Sequence, residues 1–557
     1  MRMTNKIMQN NSLYNINNNK ILQDKLSTQM STQKKITRPS DDPVIAIRAL
    51  RLRTSVSELT QYYEKNAPDA ESWLEVTEKA LGTVTDVLTD MSTQANKGAN
   101  KDLAVEDLAI IVEQMKSLRD EFYSTGNVDY AGRYVFTGYR TDTTMSFTKE
   151  VEEMETGYPS YDITEQNTID SFDTINYTDI GNLEGLNKNN YTDANYRDVD
   201  YTDPTKEKKV NEQQVSNGNI HRLRLAYDEL NGDTGKELKI EFRDKNGQKV
   251  EFPLSDGDGK YFINADGDKV YSPIPDTIST VSISNDPYKQ VIGNKDAVIY
   301  VPETGEVLFG DNAYAAMEKA IKNINGTDTE IRFTYTKNEW RNGDLRPEHY
   351  FACKGTTKDK DGNEVTVPYN PEYLTGAKEK QVIEYDVGYN QKIQVNSTAD
   401  EVFTHNLDRD IDDMENALEE LAKIDATRKD MENVLKGLEE GTAEYNDVKA
   451  KYDAADKAYS YIRENMHNIF EKTISRTQGY LDDTNVAVTA NGTRSQCLSL
   501  ISNRLMDQRT TFRTLQSENE DADIAEVAVQ LTSTELTYEA ALMATGKIMQ
   551  TSLMNYI

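Results

Sequence analysis

The stretch SENEDADIAE, residues 517–526, decides how this chain is read. Its acids gather at the head of a segment, 521–555, that holds no proline and only Gly546 to weaken a helix. Negative charge is stabilised there by the partial positive charge of the unpaired N–H groups at a helix start. Ile524, Leu531 and Tyr538 recur every seven residues. Val527, Ala541, Leu542, Ile548 and Met549 fill the same face. A seven-residue apolar repeat marks a helix that packs lengthwise against another helix.

The other end of the chain carries the counterpart. Over residues 4–36, Ile7, Tyr14 and Ile21 recur every seven positions, and Leu22, Leu26 and Met30 continue at helical spacing. Asn-rich flanks give this helix poor intrinsic propensity, so it is marginal alone. Partner helices suit such a narrow stripe best, with a local core as the plainer reading. The two terminal helices can pair with each other or with neighbouring copies. If they pair within one chain, everything between them is a large insertion.

Moving inward, TRPSDDPVIAIRAL at 37–50 stops the first helix and starts another. Pro39 discourages continuation, Asp42 can cap, and Pro43 suits the first helical position. Residues 43–96 then place Ile47, Leu50, Trp73, Thr77, Leu81, Val84, Leu88 and Met91 at helical spacing. After a break at 97–100, Leu108, Ile111, Val112, Met115, Leu118 and Phe122 form a second stripe. In GRYVFTGY, 132–139, Tyr134 and Phe136 alternate as in a strand, which predicts a short hairpin.

Residues 141–400 change character. Helical periodicity vanishes except near 312–324. Turn pairs recur at 246–247, 256–257, 258–259, 266–267 and 361–362, between strand-like runs at 238–242 and 331–335. Asn-Tyr-Thr-Asp occurs at 176 and 190, and Asp-Tyr-Thr-Asp at 200. Helical spacing returns near 404 with Ile411, Met414, Leu418 and Leu421. Gly441 suggests a helical hairpin over 425–465. A segment after Gly479 containing Asn491-Gly492 then leads to Ile501, Leu505, Phe512 and Leu515. The fold class is α+β, multidomain and elongated: paired N- and C-terminal coiled-coil helices, a helical bundle and a β-rich variable insert.

Composition narrows the chemistry. The chain has 557 residues with 63 Lys and Arg against 95 Asp and Glu, a net charge of −32. Phosphate backbones would repel it, so nucleic acid is excluded as a general partner. The first 53 residues hold ten basic and three acidic side chains, +7 locally, which leaves −39 for the rest. No apolar run is longer than that of Leu108–Val112, far below the ~18 residues that span a bilayer. Mean hydropathy is −0.74, low for a single compact globule. No apolar stretch near the N-terminus suits a cleaved secretory signal. Cys353 and Cys497 allow at most one disulfide.

No catalytic residue, metal ligand or cofactor is expected. His221, His349, His405 and His467 are isolated, and no Gly-x-Ser-x-Gly, dinucleotide or phosphate-loop pattern occurs. Cys497 reads as a small apolar residue on a helix face. Asp256, Asp258, Asp266 and Asp268 have part of a calcium-loop pattern. The loop is incomplete and its flanks look like strands, so hairpin turns are the stronger reading.

Three segments together resemble the flagellin superfamily, and within it the hook-associated protein 3 type. They are TRPSDDP at 37–43, GRYVFTGY at 132–139 and SENEDADIAE at 517–526; the tail SLMNYI adds to them. The motif residues are Pro39, Ser40, Asp41, Asp42 and Pro43, with Gly132, Arg133, Tyr134, Phe136 and Gly138. The helical hairpin near 425–465 and the long middle depart from the family pattern.

The resemblance implies a bacterial flagellar subunit, exported without a cleaved signal peptide, that forms a ring joining the hook-side junction protein to the flagellin filament. Implied partners are other copies of itself, the hook-side junction protein, flagellin, an export chaperone and the export apparatus, with no membrane. It implies terminal helices that order on assembly, at 1–40 and 519–557. It implies helical-domain parts at 41–140 and 404–518 around a variable insert at 141–403. The expected assembly faces are Ile7, Tyr14, Ile21 and Leu26 on the first helix, and Ile524, Val527, Leu531, Tyr538, Leu542 and Met549 on the last. Three alternatives remain: a flagellin filament subunit, an enzyme carried in the insert, and a cytosolic coiled-coil scaffold.

Overall fold

The computed structural model of the chain describes residues 5–148, 159–193, 195–196, 210–233, 238–244, 262–263, 269–270, 278–322, 329–358, 363–375 and 381–554. The five expected turn pairs, the four candidate calcium aspartates, the motif at 200–203 and residues 555–557 lie outside them.

Helix α1 is Asn5–Thr32 and α2 is Pro43–Gln61. A π-helical turn, Tyr62–Asn66, passes directly into α3, Ala67–Gly98, and α4 is Val105–Thr125. A short hairpin follows, β1 Asp129–Tyr130 and β2 Arg133–Tyr134. The β-rich middle contains β3 Ser160–Asn167, β4 Phe172–Asp179, β5 Ser216–Arg224, β6 Lys239–Asp244, β7 Phe262–Ile263, β8 Lys269–Val270 and β9 Ser279–Thr280. Next come α5 Pro287–Gly293, β10 Val298–Val301, β11 Glu306–Phe309 and α6 Asp311–Lys322, then β12 Thr329–Lys337, β13 Ala352–Lys358 and β14 Glu364–Tyr369. The last strands are β15 Glu384–Gly388 and β16 Gln391–Gln394, followed by α7 Asn406–Lys436, α8 Ala443–Glu520 and α9 Ile524–Met554. The α+β class is as read from the sequence. Two compact units emerge, one of Met1–Ser72, Glu384–Gln394 and Arg494–Ile557, the other of Trp73–Ile383 and Val395–Thr493.

In the first unit, α2 begins as its sequence dictates. Asp42 Oδ1 accepts from the N–H groups of Val44 (2.9 Å) and Ile45 (3.1 Å), with Pro43 in the first turn. Such a cap is worth about 1 kcal/mol. The π turn is braced by the β15–β16 hairpin. Asn66 Nδ2 donates to the Asp386 carbonyl at 2.7 Å, and the Tyr385 hydroxyl donates to Asp69. Arg509 lies 5.4 Å from the Tyr63 ring centre and pairs with Glu64. The stripe expected on α2 faces outward: Ile47 and Leu50 are exposed, and the buried positions are the small Ala46 and Ala49.

The second unit holds two five-stranded sheets. One runs β4-β5-β11-β10-β9, antiparallel except for β10 beside β9; the other runs β14-β13-β3-β12-β6 and is antiparallel throughout. Alternation along the strands builds the core. Val298 and Tyr300 of β10 join Phe309, Ile163, Phe333 and Tyr335 in one cluster, while Ile299 and Val301 face a second with Ile220 and Leu308. Ile163 of β3 sits opposite Tyr335 on one side and Cys353 on the other. On α3, Trp73, Thr77, Leu81, Val84, Leu88 and Met91 are all fully buried, as their spacing predicts. Gly98 ends this helix where a Cβ would run into the Phe470 ring of α8. Phe403 stacks edge-on against Phe122 (5.1 Å) and Phe136 (5.0 Å).

Two further expectations need correction. No break occurs near Gly479 or Asn491-Gly492, because α8 runs unbroken for 78 residues. Asn491 is buried and donates to the Leu74 carbonyl at 3.0 Å, so a residue that reads as a turn former anchors the helix instead. Cys497 is exposed on α8, and its neighbour Leu498 is the buried residue. The hairpin expected at 425–465 is present, with Gly441 at φ +87° between α7 and α8.

A buried ionic network joins the first sheet to α7 and α8. Arg222 Nη1 meets Glu306 (2.6 Å) and Asp413 (2.8 Å), and its Nε and Nη2 meet Asp173 (3.1 and 3.0 Å). Arg224 pairs with Asp410 (2.7 Å) and Asp413 (3.0 Å). Arg476 pairs with Asp173 at 3.0 Å and with Asp410, which also accepts from the Tyr480 hydroxyl at 2.8 Å. Burial opposes the charge on Asp173, yet Arg222 and Arg224 hold its carboxyl down at about 2. Removing one member leaves the others buried and unpaired. Arg222→Met should therefore lower the unfolding free energy by about 3–5 kcal/mol in urea titration.

Nearby carboxyls behave oppositely. Burial, with Asp408 adding repulsion, pushes Asp412 up to about 7, and burial pushes Asp344 up to about 6. A carboxyl raised in the native state binds more protons folded than unfolded, so stability falls as pH rises from about 4 to 7. Asp412→Asn should remove its share of that decline. The gain over the parent, measured by thermal melts, should be larger at pH 8 than at pH 4.

Candidate assembly surface

The two terminal helices pair with each other, running antiparallel. Along α1 the inward positions are Gln9, Ser12, Ile16, Asn19, Gln23 and Leu26; along α9 they are Val527, Leu531, Thr534, Tyr538, Ala541 and Thr545. Both sets step by alternating three and four residues, which is the seam of a two-helix coiled coil. Leu26, Val527, Thr534 and Thr545 are buried and the others half-buried or nearly so. Half of this seam is polar. A hydrogen bond from Gln23 Nε2 to Glu535 Oε1 (3.3 Å) crosses it at the surface.

The assembly residues expected from the sequence therefore split into two groups. Leu26, Val527, Leu531 and Tyr538 face the seam. Ile7, Tyr14, Ile21, Ile524 and Leu542 are exposed, Tyr14 by 68%. Met549 lies on α9, but its side chain is outside the described residues. The heptad of Ile7, Tyr14 and Ile21 is real but points away from α9. Sequence reading missed Gln9, Ser12, Asn19 and Gln23 because polar residues give no hydropathy signal. Only their three-four spacing could have shown them.

Exposure is concentrated. Of the twenty-six large apolar side chains exposed among the described residues, nineteen belong to the first unit. They include Leu13, Leu22, Val44, Ile47, Leu50, Val529, Leu536 and Met543. Exposed apolar side chains in such number suit a surface that another protein covers. The charges differ between the helices. Lys6, Lys20 and Lys25 outweigh Asp24 on α1, and Glu526, Glu535 and Glu539 outweigh Lys547 on α9.

The motif residues shape the backbone. Pro39 and Ser40 are exposed in the turn before α2. Asp41 Oδ2 accepts from the N–H groups of Arg38 (2.9 Å) and Thr37 (3.2 Å), and these bonds, Arg38 foremost, lower its carboxyl below the usual range. Gly132 (φ +77°) follows Ala131 (φ +53°) in a two-residue turn that joins β1 to β2, a conformation that favours glycine. Arg133 lies 4.9 Å from the Trp73 ring centre. The Tyr134 N–H donates to Thr141 at 2.9 Å, and Phe136, beyond the end of β2, accepts from the Ala399 N–H at 2.8 Å. Gly138 (φ +61°) sits against Gln381.

Among the described residues no group of three His, Cys, Asp or Glu side chains could hold a metal ion. His221 stacks on Tyr314 at 3.9 Å, and burial pushes His349 down to about 4. His405 is 3.0 Å from the Tyr227 hydroxyl, and His467 pairs with Glu471 at 3.2 Å. Burial raises the Cys353 thiol well above its ordinary value. Among the described residues, no helix is long and apolar enough to cross a membrane.

Comparison with known proteins points the same way as the motifs. Residues 3–141 match the bacterial flagellin N-terminal helical region. Flagellar hook-associated protein 3 of Salmonella typhimurium is 30% identical over 143 residues, 26% of this chain and 45% of that protein. The protein of the same name in Escherichia coli is 30% identical over 144 residues, with the same shares. The chain thus spans less than half the length of the curated relatives it matches. Among solved structures, a flagellar hook-associated protein of Vibrio parahaemolyticus is 12% identical with a TM-score of 0.31, covering 86% of this chain and 100% of the other. The chain is similar to hook-associated protein 3 of the flagellin superfamily, as its motifs imply.

The split of the assembly residues can be tested in the free chain. Leu26→Asp puts an unpaired charge into the seam and should cost several kcal/mol of pairing, seen as lost helicity by circular dichroism. Ile21→Asp, at an exposed position, should change stability by less than about 0.5 kcal/mol.

Proposed function

We propose that this chain is a structural subunit of the bacterial flagellum, forming the junction ring that connects a hook-side junction protein to the flagellin filament. The observation that carries this reading is the apolar surface of the first unit. Buried against neighbouring copies, these side chains would contribute roughly 25 cal/mol per Å² removed from water. The opposite charges of α1 and α9 suit packing of one copy against the next. Residues 1–40 and 519–557 would be the polymerising ends, 41–140 and 404–518 the helical parts and 141–403 the variable insert.

The marginal propensity of α1 and the half-polar seam support terminal helices that gain their final order on assembly. They also suit export of an unfolded chain through a flagellar apparatus, with a chaperone covering the apolar stripe of α9 beforehand. The protein then acts outside the cell without catalysis.

The test is assembly in a strain lacking the native gene. Ile21→Asp and Leu542→Asp, both at exposed positions, should leave the free chain folded yet abolish filament attachment to the hook. Normal attachment by both variants defeats the proposal. Purified chain that elongates seeded filaments by itself replaces the junction subunit with a filament subunit.

A further inference from the structure

Residues 33–35 and 520–522 meet between α1 and α9, and we infer that they form a clasp that sets the register of the helix pair, with Glu520 as its pin. The clasp acts within the single chain and does not depend on what the assembled protein joins.

The seam itself chooses its register poorly. Along α1, Gln9, Ser12, Asn19 and Gln23 alternate with only Ile16 and Leu26. A slide by seven residues puts Asn19 where Ser12 sat, and Ile16 and Leu26 are the two apolar knobs on α1 that it displaces. Apolar knobs of distinct shape, which normally penalise such a slide, are too few. Asn19 is the one seam residue of a type that fixes register in other coiled coils.

The clasp is specific by contrast. Gln33, at φ +58°, turns the chain out of α1 one residue after the helix ends. Lys34 then bridges Asp521 in antiparallel fashion. The Lys35 N–H donates to the Glu520 carbonyl at 2.7 Å, and the Ala522 N–H donates to the Gln33 carbonyl at 2.9 Å. Helix α9 starts immediately beyond, where Asp523 Oδ1 accepts from the N–H groups of Ala525 (3.0 Å) and Glu526 (3.2 Å). The end of α1 and the start of α9 are thus tied to one isolated β-bridge, and little slack is left for either helix to slide.

Side chains pin this joint. The Glu520 carboxylate, 3% exposed, accepts from Arg53 Nε (2.8 Å) and Nη2 (2.6 Å) in a two-pronged pair, with Lys34 3.7 Å away. The Arg53 bond, with Lys34 adding attraction, holds this carboxyl below its ordinary range. Asp521 pairs with Lys34 and accepts from the Ser517 hydroxyl at 2.6 Å. A two-pronged guanidinium–carboxylate pair fixes direction as well as distance, so it can hold the bridged backbone segments in one alignment.

The experiment is a disulfide scan in the full chain with Cys497→Ser. Counting outward from Gln23 and Glu535 brings Ser12 beside Thr545, while Tyr538 is one heptad out of step. With the clasp intact, Ser12→Cys with Thr545→Cys should cross-link at least about tenfold faster than Ser12→Cys with Tyr538→Cys. Glu520→Gln combined with Lys34→Gln should bring that ratio to about one while helicity is kept. Arg53→Glu combined with Glu520→Arg restores the ion pair and should recover much of the preference. The proposal is overturned if the clasp variant keeps the tenfold preference. It is equally overturned if both cross-links vanish, since the clasp would then hold the pair together rather than choose its register. It also fails if Asn19→Ala scrambles the register with the clasp intact.

Discussion

The first unit depends on a meeting of residues 487 positions apart in the sequence, where Lys34 pairs with Asp521 beside the buried carboxylate of Glu520. Closing so long a loop is less costly than intuition suggests, because the entropy grows only with the logarithm of loop length. It still has to be offset, and the seam of α1 and α9, with Leu26 and Val527 buried in it, contributes to that offset. The joint adds alignment to it. Everything between residues 36 and 519 is in this sense an excursion that begins and ends at one carboxylate.

Much of the fold was legible because it follows simple periods. The buried face of α3 from Trp73 to Met91, the strand over 331–335, the turn at Gly441 and the pairing Asp42-Pro43 before α2 all follow from spacing and local chemistry. The failures have physical causes. Gly479 and Asn491-Gly492 read as helix breakers, but a buried Asn491 that bonds to Leu74 outweighs weak propensity, as tertiary contacts routinely do. The seven-residue repeat of Ile7, Tyr14 and Ile21 marked a helix, and a helix is found there. It did not say which face meets α9, because the facing residues are polar and the apolar ones are left outside. On α2 the same inversion occurs, with Ala46 and Ala49 inside and Ile47 and Leu50 outside.

Charged residues were the least legible. Arg222, Arg224, Asp173, Glu306, Asp410 and Asp413 are scattered over some 240 positions and read as solvated surface in so acidic a chain. Their placement in one buried network is a consequence of the sheet register and of the packing of α7 and α8, neither of which leaves a mark on local composition. Ionic groups inside a protein are weak sources of net stability, yet removing one partner of a buried pair is costly. In the second unit this network links the first sheet to the two helices. The apolar clusters between the sheets could have tolerated more than one alignment.

The two cysteines differ in a way that reaches beyond stability. Cys353 is buried with its thiol raised far out of the reactive range, whereas Cys497 is exposed on α8. The natural sequence therefore offers electrophiles a single address. A dye or spin label added to the unaltered protein reports from one known point on one helix, so the chain comes ready for optical tracking without engineering.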